Sequence, residues 1–234
     1  MLDPSRLRAI TLDLDDTLWP VMPTIEAAEA ALMAWLQAHA PATAAHLQDP
    51  DVRREVRQQV NRDWAHMAHD FSCLRREAIR LALQQAGDAP DLAEPAFEVF
   101  FAQRQQVTLY DDVLPALQAL CQRFPLVALS NGNADVQRVG LGHCFTAQVS
   151  ARTFGVAKPD PRIFAAAADA VGVDCTQVLH IGDDPHHDVH GALGAGMQAA
   201  WVNRHGHEWT EPHLRPHLSV ADLGALCRLL LPHP

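Results

Sequence analysis

Lysine is almost missing from this chain: of its 18 Lys and Arg residues, Lys158 alone is lysine. A guanidinium fills most roles that ask only for a positive charge, so one retained ammonium points to a task for a compact point charge. Positive charge as a whole is scarce. With 28 Asp and Glu residues the formal net charge is −10 and the pI about 5.7. That balance argues against nucleic acid or an anionic membrane as partner, leaving a small anion in a local positive pocket. Long apolar runs are also lacking, since no segment approaches the roughly 20 apolar residues that cross a bilayer. Met1 to Arg8 holds no basic stretch followed by an apolar one. These absences predict a cytoplasmic protein. The five cysteines, Cys73, Cys121, Cys144, Cys175 and Cys227, include no CxxC pair. Neither a disulfide framework nor a thiolate zinc site is indicated, and buried thiols are expected.

What the chain does have is enough apolar material, 48% of 234 residues, for one large domain or a domain carrying an insertion. Short apolar runs at Ala9 to Asp13, Pro125 to Ser130, Gln148 to Ala151, Gln177 to Gly182 and Gln198 to Val202 read as strands. Helical periodicity follows at Asp112 to Arg123 and at Pro161 to Val171. The latter is opened by Asp160 as N-cap with Pro161 in the first turn, and closed by Gly172. Strands alternating with helices predict an α/β protein, a parallel sheet covered by helices. Residues 19–108 read differently. They contain helical segments near Thr24 to Ala40, Asp51 to His69, Ser72 to Gly87 and Leu92 to Gln105, without a convincing strand. A helical insertion after the first strand is therefore expected, placed to act as a lid.

The acidic cluster Asp13-Leu14-Asp15-Asp16-Thr17 sits where the first strand ends. Asp13 and Asp15 fall on one side of a period-two strand and emerge together at its carboxyl edge, where open α/β sheets bind ligands. Neighbouring carboxylates repel, so a cation is expected there. Three further stations each follow a strand or precede a helix: Ser130-Asn131-Gly132-Asn133, Lys158-Pro159-Asp160, and Gly182-Asp183-Asp184-Pro185-His186-His187-Asp188. Acids from two strands facing one ammonium make a site for a hard cation with oxygen ligands, and Mg²⁺ fits best because it keeps positions for water and phosphate. Asp13 can then attack phosphorus, with the metal and Lys158 offsetting the repulsion between carboxylate and phosphate. Asp15 can protonate the departing alkoxide and later deprotonate the water that hydrolyses the acyl-phosphate. In this reading Asp183 binds the metal, Ser130 and the Asn131 N–H hold phosphoryl oxygens with Lys158, and Asp188 orients Lys158 or a metal-bound water.

The four stations LDLDDTL, ALSN, AKPD and IGDDPHHD, in this order and in these strand contexts, resemble the four motifs of the haloacid dehalogenase-like hydrolases. The resemblance covers essentially the whole chain. It implies a Rossmann-like three-layer α/β/α core of residues 1–18 and 109–234, with an all-helical cap of residues 19–108. It also implies that Asp13 is the nucleophile and Asp15 the acid/base, that the Asp15 main-chain carbonyl joins Asp13 and Asp183 around Mg²⁺, and that the substrate is a small phosphate ester. Members that dehalogenate lack a carboxylate at the position of Asp15, because a departing halide needs no proton, so the chain resembles the phosphatases. SNGNADVQRVGLGHCF and HIGDDPHHDVHGALGAGMQAAWV are similar to bacterial phosphatases that act on flavin mononucleotide and on the ribitylaminouracil phosphate of riboflavin synthesis. No contact residue in the cap carries over.

Several residues invite other readings. Asp16 reads as structural, Asp184 as a charge at a helix start, and Thr17 as a turn residue bonded to backbone. Trp19 is left between stacking on an aromatic leaving group and pinning the hinge. His186 with His190, and the run His205, His207, His213, His217, lack the cysteine or glutamate that would complete a zinc site. Gly191, Gly194 and Gly196 have the wrong spacing for a dinucleotide loop. A phosphomutase, which returns the phosphoryl group to a sugar, and a non-catalytic module that holds metal and phosphate are the alternatives to a phosphomonoesterase.

Overall fold

The computed structural model describes residues 2–211 and 213–231. Two compact units make up the chain. One holds the residues up to Pro20 and from Thr108 onward, and the other is Val21–Val107.

The first unit is built on a six-stranded sheet of β1 (Ala9–Leu12), β2 (Leu126–Ser130), β3 (Ala147–Ser150), β4 (Val178–Gly182), β5 (Gln198–Val202) and β6 (Leu218–Val220). The order is β3-β2-β1-β4-β5-β6, and every neighbouring pair is parallel. This is the expected α/β class, and its strand order is that of the Rossmann fold. Strands covered by helices on both faces need apolar side chains on both, which is why LVALS and VLHIG are largely apolar and are buried along their whole length. Leu12 pairs with Ala128 on one side and Ile181 on the other. The chain turns from one half of the sheet to the other between β1 and β4, so the crevice at their carboxyl ends is the topological switch point.

The second unit contains α1 (Val21–His39), α2 (Pro41–His46), α3 (Pro50–Asp63), α4 (Phe71–Ala86) and α5 (Ala93–Arg104). Ala28, Leu32 and Leu36 recur at intervals of four on α1 and pack with Val56, Ile79, Leu83, Phe97 and Phe100 into a core of its own. Asp49 and Asp70 cap α3 and α4, each accepting a backbone N–H of the first turn, and Gly87 at φ +82° closes α4. The single helix expected over Asp51 to His69 stops at Asp63. Trp64 leaves helical geometry at φ −113°, ψ 30°, and a separate short turn, Ala65–Met67, follows. α2 was not expected, because its two turns are too short to display a periodicity.

Back in the sheet unit come α6 (Val113–Cys121), α7 (Ala151–Phe154), α8 (Pro161–Asp169), α9 (Gly191–Gly194) and α10 (Leu223–Leu230). Asp160 caps α8 through the Arg162 N–H, as the Asp-Pro pair predicts. Ala151, read as the end of a strand, begins α7 instead, because the Ser150 side chain caps a helix there. Neither β6 nor α10 was anticipated. β6 is a three-residue edge strand, but α10 carried a legible signal in Asp222 as N-cap followed by buried Leu223, Leu226 and Leu230. Of the five free cysteines only Cys144 is buried. The other four are half-buried, a correction that follows from their places: Cys73 and Cys121 at helix ends, Cys175 in a turn and Cys227 on the flank of α10. Among the described residues no helix is long and apolar enough to cross a membrane.

Candidate active site

β1 ends at Leu12 and hands Asp13 directly to the switch point, where its N–H donates to the Ile181 carbonyl of β4 at 2.9 Å. The turn that follows is tight. Asp16 adopts φ +58°, a left-handed geometry that aspartate tolerates better than most residues, and its N–H reaches the Trp19 carbonyl at 2.7 Å. Asp16 thus serves the turn's geometry. Trp19 is wholly buried, and its indole N–H donates to Asp15 Oδ1 at 2.9 Å. Its burial leaves no ring face open for stacking on a leaving group, and the contact it makes is with the Asp15 carboxylate, which neither stacking nor pinning the hinge had named.

Lys158 arrives from the loop between α7 and α8. Its Nζ donates to Asp13 Oδ1 at 2.5 Å and to Asp188 Oδ1 at 2.6 Å, and the residue is only 3% exposed. Asn131 holds this loop. Its side-chain carbonyl accepts the Lys158 N–H at 2.7 Å while its amide donates to the Lys158 carbonyl at 3.0 Å. Ser130 is buried at the end of β2, with its Oγ accepting the Gly132 N–H at 2.9 Å.

The fourth station follows β4. Asp184 caps the Pro185–His190 turn by accepting the N–H groups of His186 and His187, the helix-start role expected of it. Asp188 returns beneath Gly182, where a Cβ would lie 2.2 Å from the Asp188 carboxyl carbon, so glycine is required for the close approach. Asp188 Oδ2 accepts the Asp184 N–H at 3.0 Å. Its Oδ1 takes Lys158 and, at 3.1 Å, Nε2 of His180. His180 is the polar residue that sequence reasoning missed. It lies inside the buried strand VLHIG with its Nδ1 2.8 Å from Thr11 Oγ1, and a histidine alone among buried apolar residues was the available signal. Burial pushes its pKa down. The neutral ring then donates from Nε2 to Asp188 and accepts at Nδ1 from the Thr11 hydroxyl.

Asp183 is held from two sides: the Thr17 hydroxyl donates to its Oδ1 at 2.8 Å, and the Trp201 indole donates to its carbonyl at 2.7 Å. Thr17 was expected to bond to backbone in its turn, so a carboxylate partner is a correction. The reason is proximity: the turn after β1 lies beside the end of β4, the neighbouring strand. A cavity of about 630 Å³ opens beside Asp183 and Asp16, rimmed by Trp201, Asn203, His205 and His207.

Oxygen atoms of Asp13, Asp183 and Asp188 lie within 4.8 Å of one another. Burial raises the Asp13 pKa well above its usual value despite Lys158, with Asp188 and Asp183 adding to the rise. Burial, then Asp188, pushes Asp183 up to about 7 against the pull of the Thr17 hydrogen bond. For Asp188 burial acts upward too, but Lys158 and His180 together hold its pKa below the usual carboxylate range. Burial would lower Lys158, and the two carboxylates reverse this and hold it above its ordinary value. The donor set is all oxygen and short of positive charge, which suits a hard cation. Both Asp188 oxygens already accept hydrogen bonds, leaving Asp13 and Asp183 as the better ligands.

A family model for haloacid dehalogenase-like hydrolases matches residues 7–196. The chain belongs to that family and is a hydrolase. Among its relatives is the 5-amino-6-(5-phospho-D-ribitylamino)uracil phosphatase YigB of Escherichia coli, 33% identical over 96% of this chain and 97% of that protein. A phosphoserine phosphatase of Thermus thermophilus is 38% identical over 64% of this chain and 62% of its own. A solved structure described as a 2-haloacid dehalogenase from Pseudomonas syringae pv. Tomato superposes with a TM-score of 0.90 at 38% identity, covering 96% of this chain and 98% of that one.

Proposed function

We propose that this protein is a Mg²⁺-dependent phosphomonoesterase working through an aspartyl-phosphate on Asp13, with Val21–Val107 as its cap domain and the remainder as its catalytic core. The observation that carries the reading is the convergence of Asp13, Asp183 and Asp188 around the chain's single lysine. Asp13, Asp183 and the Asp15 main-chain carbonyl would hold Mg²⁺. When bound, the ion would supply electrostatic stabilisation for phosphoryl oxygens and lower the repulsion between phosphate and carboxylate. An Asp13 oxygen attacks phosphorus as the bond to the leaving oxygen breaks, and Asp15, its carboxylate steadied by Trp19, passes a proton to that oxygen. Asp15 then takes a proton from water as it displaces phosphate from Asp13. Lys158, Ser130 and the Asn131 N–H hold the phosphoryl oxygens, and Asp188 keeps Lys158 in place.

A phosphorylated ribityl compound, flavin mononucleotide or the ribitylaminouracil phosphate, is the substrate we favour. The full-length likeness to the phosphatase YigB supports it. Dehalogenation is the second reading, favoured by the TM-score of 0.90 to a structure described as a dehalogenase. The carboxylate of Asp15 weighs against it, because halide leaves unprotonated. One assay separates the readings: phosphate release from a panel of esters that includes flavin mononucleotide, with Mg²⁺ or with a chelator, alongside halide release from a 2-haloacid. Mg²⁺-dependent phosphate release is expected. Halide release without phosphate release would overturn the reading, and fast hydrolysis of sugar phosphates with none of flavin mononucleotide would overturn the substrate alone.

A further inference from the structure

Arg204 follows β5 by two residues, and no motif accounts for it. Its guanidinium joins three segments of the sheet unit. Nε and Nη2 donate to the Thr17 carbonyl at 3.2 and 2.9 Å, and Nη1 and Nη2 donate to Asp112 Oδ1 and Oδ2 at 2.9 and 3.1 Å. The plane lies over the Tyr110 ring, with Cζ 4.0 Å from the ring centroid. Asp112 is fixed in turn: its Oδ2 accepts the Leu223 N–H at 2.7 Å at the start of α10. Tyr110 is tied back to the first turn, its N–H donating to the Leu18 carbonyl at 3.1 Å.

Thr17 is the residue on which these bonds converge. It is wholly buried, its carbonyl is gripped by Arg204, and its hydroxyl donates to Asp183 Oδ1. A fixed main chain at Thr17 fixes where that hydroxyl points, and the hydroxyl fixes one oxygen of Asp183. We infer that Arg204 is a positioning residue for Asp183, acting through Thr17 and anchored on Asp112. This rests on the reading of Asp183 as a metal ligand.

The bidentate bond to Asp112, the paired donation to one carbonyl and the stacking on Tyr110 all need a planar fork, so lysine cannot reproduce the clamp. The consequence is specific to metal affinity. Outer groups that orient a ligand typically change metal affinity by about 10- to 100-fold when removed, and Arg204→Lys is expected to weaken Mg²⁺ binding by about that range.

The test is calorimetric titration of Mg²⁺ into the full chain without substrate, comparing wild type, Arg204→Lys, Thr17→Val and the double variant. Circular dichroism confirms the fold of each. Expected is a loss of affinity in both single variants, with the double variant little weaker than Thr17→Val alone, because the two act through one path. Unchanged affinity in a folded Arg204→Lys protein, or losses that simply multiply in the double variant, would overturn the inference. Should Arg204→Lys fail to fold, Asp112→Asn carries the same test: it removes the anchor and should weaken Mg²⁺ binding, and unchanged affinity there overturns the inference. Wild-type protein that takes up no Mg²⁺ overturns the metal-site reading together with the inference, whereas wild-type uptake unaffected by these substitutions overturns the inference alone.

Discussion

Lys158 Nζ stands 2.5 Å from Asp13 Oδ1 although 145 positions separate the two residues in sequence. The contact is buried, and a second carboxylate, Asp188, shares the same ammonium at 2.6 Å. Two acids and one base leave an excess of negative charge in a space with little water. The one ammonium meets both acids at a single atom, which suits a compact cation head better than a forked one.

Lys158→Met should leave two buried carboxylates facing each other and destabilise the fold by about 3–5 kcal/mol. Lys158→Arg should retain the charge yet abolish turnover, because a planar guanidinium cannot occupy the point where one Nζ meets both acids. Urea unfolding measures the first effect and phosphate release the second. Full turnover in the arginine variant would show that charge alone suffices.

Asp13→Asn should reduce turnover by roughly 10⁴-fold or more, the scale on which removal of a covalent nucleophile acts. The fold should survive, since Lys158 keeps Asp188 as its partner. Single-turnover assays and circular dichroism check both halves. An active Asp13→Asn protein would refute the nucleophile assignment.

Much of this arrangement was legible in the sequence, and the reason lies in the sheet. Buried parallel strands are mostly apolar, so LVALS and VLHIG announce themselves, and the residues that follow them fall at one edge of the sheet. Asp13, Ser130 and Asp183 were found that way, and Lys158 by its rarity. Residues whose role depends on a partner far away in sequence were not. His180 matters because Thr11 and Asp188 flank it, and Arg204 because it meets Thr17 and Asp112. Spacing along the chain carries no trace of those meetings. Short elements failed for another reason: α2 and β6 offer too few residues for a period to show.

His180→Phe keeps a ring against Phe164, which forms a T-shaped pair with the imidazole at a centroid distance of 5.1 Å, but removes both hydrogen bonds. Thr11 is wholly buried and Asp188 is 1% exposed, so neither regains its bond from water. The expected cost is about 1–3 kcal/mol in urea unfolding. Turnover should fall as well, because Asp188 then holds Lys158 less firmly. A variant with wild-type stability and turnover would make the histidine a passive core residue.

Asp112 gives the fold an acid limb whose direction is fixed. Burial pushes its carboxyl upward, but the Arg204 and Leu223 hydrogen bonds outweigh burial and hold its pKa below the ordinary 3.8. A carboxylate with a depressed folded value contributes stability that is fully present above its unfolded value and is lost as pH falls through the folded one. Below about pH 4, wild-type protein should therefore lose stability more steeply than Asp112→Asn, which has no proton to take up at this position. At neutral pH wild type should be the more stable of the two, because asparagine cannot match the charge-assisted fork with Arg204, and the two curves should converge toward pH 3. Thermal unfolding from pH 3 to pH 7 measures both ends. Parallel curves for the two proteins across that range would mean that Asp112 keeps an ordinary pKa and that the Arg204 clamp contributes nothing to the acid limb.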